Sequence, residues 1–339
     1  MRLVRSNKMI LILMILILVV VPFIPDYYVN LLGRFFSLAI ACIGIAWIWG
    51  HMGVLSLGQG LFFGLGAYSI AMHLKLKSTA EGDIPDFMLW SGLDTIPIWW
   101  LPFNSFLFTL FSIAFIPAFV AFALSFLLFR RSISGVYFTL ITQALVLIFE
   151  TLLISFQPYT GGFNGITGFS NFLLWNLGDL DFQRSLLFIV IIISFSLIIF
   201  SNLLRRSKLG KIVVSIRENE RRLVFLGYNT VEIKIAIFTF ASILAGLGGA
   251  FYTLFNGGIS PAIVGVIPSI ELVLWVAIAG RENFLAVVAS VVITNLVKDQ
   301  ISTLFPTFWS YVMGTLYVIV GIGLLATFVA RFYSRGVYR

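Results

Sequence analysis

Four polar side chains fall inside apolar runs of this sequence: Gln143, Glu150, Glu271 and Asn295. An amide or carboxylate within a membrane-length apolar segment is costly, so each is a candidate for contact with a solute. Glu271 follows Ser269 and Ile270 at the opening of a short apolar segment. A carboxylate there has two readings, ligand contact or a cap favoured by the helix dipole. Glu150 lies towards the outer end of its run, within reach of the interface. No catalytic set accompanies these residues. The two histidines, His51 and His73, form no H-E-x-x-H, and there is no Cys/His metal spacing and no G-x-S-x-G. A G-x-x-x-x-G-K-[ST] loop is also missing, so the chain is not expected to be an enzyme or to hydrolyse ATP by itself. His51 falls at a membrane boundary, where a structural role is expected. Cys42, the single cysteine, sits in an apolar run and allows neither an internal disulfide nor a thiolate metal cluster.

The elements that carry these groups follow from composition. Of 339 residues, 60% are hydrophobic and 11% charged, with a mean hydropathy of +1.05. Soluble domains carry about 25% charged residues, so an all-α polytopic membrane protein is expected. The net charge of +8 is no nucleic-acid footprint, because the Lys/Arg residues flank apolar spans.

Apolar runs at 9–24, 31–49, 54–74, 106–129, 133–156, 186–204, 235–255, 268–280, 284–297 and 310–329 give about 8–10 transmembrane helices. The runs 268–280 and 284–297 are short for crossing. They read either as half-helices meeting at Arg281-Glu282-Asn283 or as full spans extended into their flanks. Gly58, Gly60 and Gly64, and later Gly246 and Gly249, are dense for helices. Close helix packing and a broken helix lining a cavity are both readings of that density. Trp90, Trp99 and Trp100 suit an interfacial aromatic belt.

The longest charge-dense run, 205–234, must lie in water, and its basic excess places it in the cytoplasm. It reads as a short amphipathic helix, with Gly227 as its stop and Asn229 capping the next helix. With both termini cytoplasmic, 17 of the 22 Lys/Arg lie inside. Arg34, Lys75, Lys77, Arg184 and Lys298 are left outside. One permease-type domain, 1–339, results: halves at 9–156 and 186–329 of inverted topology around an extracytoplasmic loop, 157–185.

GHMGVLSLGQGLFFGLGAYSIA (50–71), GKIVVSIRENERRLVFLGYNTVEIK (210–234) and FTFASILAGLGGAFY (238–252) resemble the permease subunits of branched-chain amino acid ABC importers. IPDFMLWSGLDTIPIWWLPFNSF (84–106), GVYFTLITQAL (135–145), GGFNGITGF (161–169) and SIELVLWVAIAGRE (269–282) are more similar to that family's urea-type permease, its second, longer subunit. The resemblance implies pairing with a second related permease, two cytoplasmic ATPase subunits and an extracytoplasmic binding protein. It implies no cofactor on this chain, since ATP is used by the partners. The basic island becomes the coupling loop, with Gly210, Arg217, Glu218, Arg221 and Gly227 in the cytoplasmic motif. Its helix is expected in a groove of the ATPase. Gln59 stands where the family pattern has His, and Ala279-Gly280-Arg281-Glu282 replaces a more Gly-rich run; both bear on the substrate. Gln59, Gln143, Asn164, Glu271 and Asn295 are the expected translocation-path residues. Urea, small and neutral, suits a path of amides, hydroxyls and backbone groups; short amides and branched-chain amino acids are also consistent.

Overall fold

The computed structural model describes residues 2–80, 83–169, 171–172 and 175–305, with helical pairs at 311–312, 314–315 and 318–319. The expected last span, Ser310–Val329, lies almost wholly outside the described residues, as do Arg331, Arg335 and Arg339. The chain is an all-α polytopic membrane protein. Seven helices among the described residues are long and apolar enough to cross a bilayer, and Asn7–Phe23 is a shorter apolar helix.

Helix α1 spans Arg2–Val20 and α2 spans Asp26–Ile45. Asp26 in the first turn of α2 faces the positive end of the helix dipole. At its other end α2 continues as a π-helical segment, Ala46–His51. His51 stacks on Phe284, with centroids 4.8 Å apart, and its Nδ1 lies 3.0 Å from the Ala46 carbonyl. The structural role expected for His51 is the one it has.

Next come α3 (Gln59–Ser78), α4 (Phe106–Arg130), α5 (Val136–Ser155) and α6 (Leu180–Arg206). They are followed by α7 (Lys208–Phe225) and α8 (Thr230–Asn256). Helix α8 is the hub, because its small residues let three neighbours approach at once. A Cβ on Gly246 would meet Ile113 O and Pro117 of α4, one on Gly248 would meet Ser37 O of α2, and one on Gly249 would meet Phe63 O of α3. Phe238 of α8 is fully buried and edge-on to Phe62 and Phe138. On the outward face of α4, Phe111, Phe115 and Phe119 form an exposed stacked ladder. Such a face is stable against lipid and unfavourable against water.

The two doubtful segments resolve differently. Phe284–Leu304 is one continuous helix of 21 residues, α11, capped by Asn283, whose Oδ1 accepts from Leu285 N at 3.1 Å. The other is interrupted, but at Gly265 and not at Arg281–Asn283. There α9 (Pro261–Val264) gives way to α10 (Val266–Ile278) across an extended Gly265. Of the two readings, that of full spans extended into their flanks fits: Pro261–Ile278, interrupted at Gly265, and Phe284–Leu304 are both long enough to cross.

At the end of the bundle away from α7, Lys75 joins two loops. Its Nζ lies 2.8 Å from Asp86 and donates to Thr167 O at 2.9 Å. Ile166–Thr167 pairs antiparallel with Gly258–Ile259. Trp90 and Trp99 are exposed, as an interfacial belt requires, whereas Trp100 is wholly buried against Phe87. Trp100 is thus the small core of the 84–106 insertion and no belt residue.

Candidate functional site

Helices α2, α3, α8, α9–α10 and α11 enclose a cavity of about 340 Å³. Two of the expected path residues, Glu271 and Asn295, line it. Charge clusters there more than the sequence indicated: Arg34, Tyr252, Lys298 and Asp299 share the wall. Lys298 Nζ lies 3.0 and 3.1 Å from the two Glu271 oxygens, and the pair is mostly buried at 31% and 14% side-chain exposure. Asp299 accepts from the Tyr27 hydroxyl at 2.9 Å, and Asn295 Nδ2 donates to Val291 O at 2.8 Å. Arg34 lies beside the Tyr252 hydroxyl. The cavity wall thus combines two cationic and two carboxylate side chains and carries no net formal charge.

Two donors in this wall stand out. Arg34 Nε and Trp275 Nε1 are buried and have no hydrogen-bond partner among the described residues. Leaving a buried donor unsatisfied costs about 1–3 kcal/mol. Together with the Glu271 and Asp299 carboxylates, the site offers donors and acceptors around one small volume.

The cavity is bounded by the two interrupted segments. The start of α3 abuts the break before α10, where a Cβ on Gly60 would meet Ser269 Oγ and Val264 O. Gly64 packs on the Val264 side chain, and Gly58 on Thr142 of α5. These glycines make close contacts at the start of a continuous α3, while the break beside the cavity lies across from them at Gly265. Glu150 does not stop at the interface: its Oε2 accepts from Val266 N at 3.4 Å, capping the broken helix α10 from α5. Next to Gly60, Gln59 is fully buried, and neither its Nε2 nor its Oε1 has a partner among the described residues.

Two expected path residues lie elsewhere. Gln143 is half-buried on α5 away from the cavity wall, and Asn164 is exposed in the 157–179 loop. Arg34 and Lys298 had been counted as outside charges. The available signal was that each lies within a helix-length segment, Asp26–Ile45 and Phe284–Leu304, where an ionised side chain needs a partner or a cavity.

The basic island forms a second surface. Ser207 caps α7 by accepting from Gly210 N at 3.3 Å, and a Cβ on Gly210 would strike the Leu204 and Arg205 carbonyls. Val213, Ile216 and Leu223 are buried, while Leu209, Val224, Phe225 and Leu226 are exposed. Asn219 has non-helical φ/ψ of −159° and 89°, so α7 bends there. Its side chain accepts from Arg222 N at 3.2 Å and restarts the helix. Gly227 adopts φ +85° and ends the segment, and Asn229 caps α8 by accepting from Glu232 N at 3.4 Å. Both boundaries are where the sequence put them. Lys234 pairs with Glu220 and fastens the second half of α7 to α8.

Arg217 ties this helix to the bundle. It donates to Glu282 at 2.7 Å, to Glu218 at 3.0 Å and to the Gly50 carbonyl. It therefore joins α7 to the end of the α2 segment and to the turn between α10 and α11. That turn is tight, with Gly280 at φ +78° and Arg281 at φ +51°. Glu218 and Arg221 extend from the same stretch, and no group of His, Cys, Asp and Glu among the described residues could hold a metal ion.

Comparison with known proteins follows the same residues. A family model described as the branched-chain amino acid transport system permease component matches residues 27–322. The high-affinity branched-chain amino acid transport system permease protein LivM of Salmonella typhimurium is 24% identical over 306 residues, covering 83% of this chain. LivM of Escherichia coli is 24% identical over 302 residues, again covering 83% of the chain. The chain spans 64% of the length of each of these relatives. No solved structure matches it significantly.

Proposed function

The chain belongs to the branched-chain amino acid transport system permease family, and from that premise we propose that it is the membrane-spanning subunit of an ATP-driven importer. It is a multi-pass protein of the bacterial inner membrane. Its basic end and both termini face the cytoplasm, and residues 9–156 and 186–329 are halves of inverted topology; 17 Lys/Arg inside against three outside, once Arg34 and Lys298 are placed in the cavity wall, support this orientation. Its partners are a second, related permease subunit, two cytoplasmic ATPase subunits that bind and hydrolyse ATP, and an extracytoplasmic solute-binding protein.

The solute is urea or a short amide. One observation carries this reading: the cations Arg34 and Lys298 share a wall of no net charge with Glu271 and Asp299. A urea carbonyl accepts from a cationic side chain of that wall, and its N–H groups donate to the carboxylates. An uncharged solute enters and leaves without disturbing the charge balance. The Glu271–Lys298 pair lines this volume and supplies hydrogen-bond partners to the solute.

A branched-chain amino acid is the second reading, favoured by the same wall. A zwitterion would set its carboxylate at Arg34 and its ammonium at Glu271, and the curated relatives are named for branched-chain amino acid transport.

Drive reaches the cavity through Arg217. An ATPase that holds the exposed Phe225 and Leu226 moves α7, and Arg217 passes the displacement to the α10–α11 turn. Those two helices carry Glu271 and Lys298. The test is energy-dependent uptake of labelled urea and of leucine in cells lacking this coding sequence and in cells with it restored. Loss and recovery of urea uptake with leucine uptake unchanged is the expected result; the converse assigns the amino acid.

A further inference from the structure

A second groove, of about 720 Å³, opens between α4 and α8 at the basic end, on the outer surface of the bundle and apart from the polar cavity. Its walls are apolar: Phe122, Phe126, Ile235, Phe240 and Ile243. Its rim is polar and carries one charge of each sign, Arg130 and Glu232. We infer that this groove holds a phosphatidylethanolamine molecule of the leaflet at the basic end, with the phosphate on Arg130 and the ammonium on Glu232.

Dimension supports a lipid. From Asn229 to Ile243 the groove follows α8 for about 21 Å at 1.5 Å per residue. One leaflet of a hydrocarbon core about 30 Å thick is about 15 Å deep. The groove therefore runs from the headgroup level to the bilayer midplane, which is the reach of one acyl chain.

Charge selects the headgroup. Neither Arg130 nor Glu232 forms an ion pair with a described residue. Arg130 instead lies over the Phe126 ring at 4.2 Å, which holds its guanidinium at the mouth of the groove. A phosphate there gains charge-assisted hydrogen bonds. A purely anionic headgroup would face Glu232 as a like charge. A choline headgroup has no N–H to donate to that carboxylate, whereas a primary ammonium has three. An apolar protein helix laid in the groove would bury both rim charges unpaired, at considerable cost.

Native mass spectrometry of the purified full chain, titrated with phosphatidylethanolamine, phosphatidylcholine and phosphatidylglycerol of the same acyl chains, tests this. The expected result is at least about five-fold tighter binding of phosphatidylethanolamine than of the other two. That preference should be lost in Arg130→Ala and in Glu232→Gln. Both side chains are solvent-exposed at helix ends, so the variants should fold, and unchanged thermal unfolding checks it. Equal binding of all three lipids, a phosphatidylglycerol preference that survives Glu232→Gln, or phosphatidylethanolamine binding unchanged in both variants would overturn the inference. So would loss of the lipid on assembly with another subunit, which would make the groove a protein interface. None of these outcomes depends on which solute the chain carries.

Discussion

Arg217 Nη1 stands 2.7 Å from Glu282 Oε1, linking the basic helix α7 to the turn between two cavity-lining helices. The two residues are 65 positions apart in the chain. With the Gly50 carbonyl as a second acceptor, the guanidinium gathers the island, the end of the α2 segment and the α10–α11 turn at one point. Arg217→Ala should lower solute uptake about ten-fold or more, in the range of a typical coupling energy, while leaving membrane insertion intact. The exchange Arg217→Glu with Glu282→Arg should recover part of the loss. Uptake at the parental rate in Arg217→Ala would remove this link from the mechanism.

The island should also fail when its ending is altered. Gly227 sits at φ +85°, which proline, fixed near −65°, cannot adopt. Gly227→Pro and Glu218→Ala are expected to abolish ATP-driven uptake with the protein still in the membrane. Phe225, 90% exposed, should be needed for ATPase binding, so Phe225→Ala should weaken co-purification of the ATPase. Uptake that survives Glu218→Ala and Gly227→Pro alike would exclude the island from coupling.

Breaking the Glu271–Lys298 pair leaves a mostly buried charge without its partner, a change worth about 3–5 kcal/mol where burial is complete. Glu271→Gln is expected to lower both thermal stability and uptake. In the double variant Glu271→Gln with Lys298→Gln, stability should recover more than uptake does, because the cavity loses its carboxylate–ammonium pair while the stranded charge is removed. Parallel recovery of both would make the pair purely structural.

The hub helix makes a steric prediction. At Gly249 a side chain would strike Phe63 O of α3, so Gly249→Val should destabilise by about 1–3 kcal/mol through overpacking. Ala236→Val, at an exposed position on the same helix, should be near neutral. Thermal unfolding of the two variants in detergent compares them directly.

Asp86 gives a pH dependence. Partial burial pushes its pKa up, but the hydrogen bond from Lys75, the Phe87 N–H and the Lys75 charge outweigh this and hold it below the usual carboxylate range. A lowered folded-state pKa means the contribution is complete above the unfolded value, near 4. It is lost as pH falls through the folded value. The stability difference between the parent and Asp86→Asn should be present at neutral pH and vanish under acid conditions. At 50% exposure of the Asp86 side chain it should be small. A difference that grew on acidification would contradict the assignment.

Some features were legible in the sequence because local chemistry determines them. The turn at Gly227, the Asn229 cap and the buried face of α7 each follow from residues within one or two turns. The glycines of α8 announced close packing, though not which neighbours they touch. The cavity was less legible because it is built by residues distant in sequence: Arg34 and Lys298 read as topological charges until α2 and α11 were seen side by side. Glu150 reads as interfacial on α5 alone and becomes a cap only where the Gly265 break comes beside it. Trp100 reads like its neighbour Trp99, and only the fold of the 84–106 segment separates a buried ring from an exposed one.

The most direct test of a solute path through the α2–α3–α8–α10–α11 cavity is thiol labelling. With Cys42→Ala as background, Asn295→Cys places the single thiol in the cavity wall. The account predicts that a small methanethiosulfonate reagent blocks uptake, and that saturating substrate slows the block. Modification that leaves uptake unchanged, or a thiol that never reacts during transport, would contradict it.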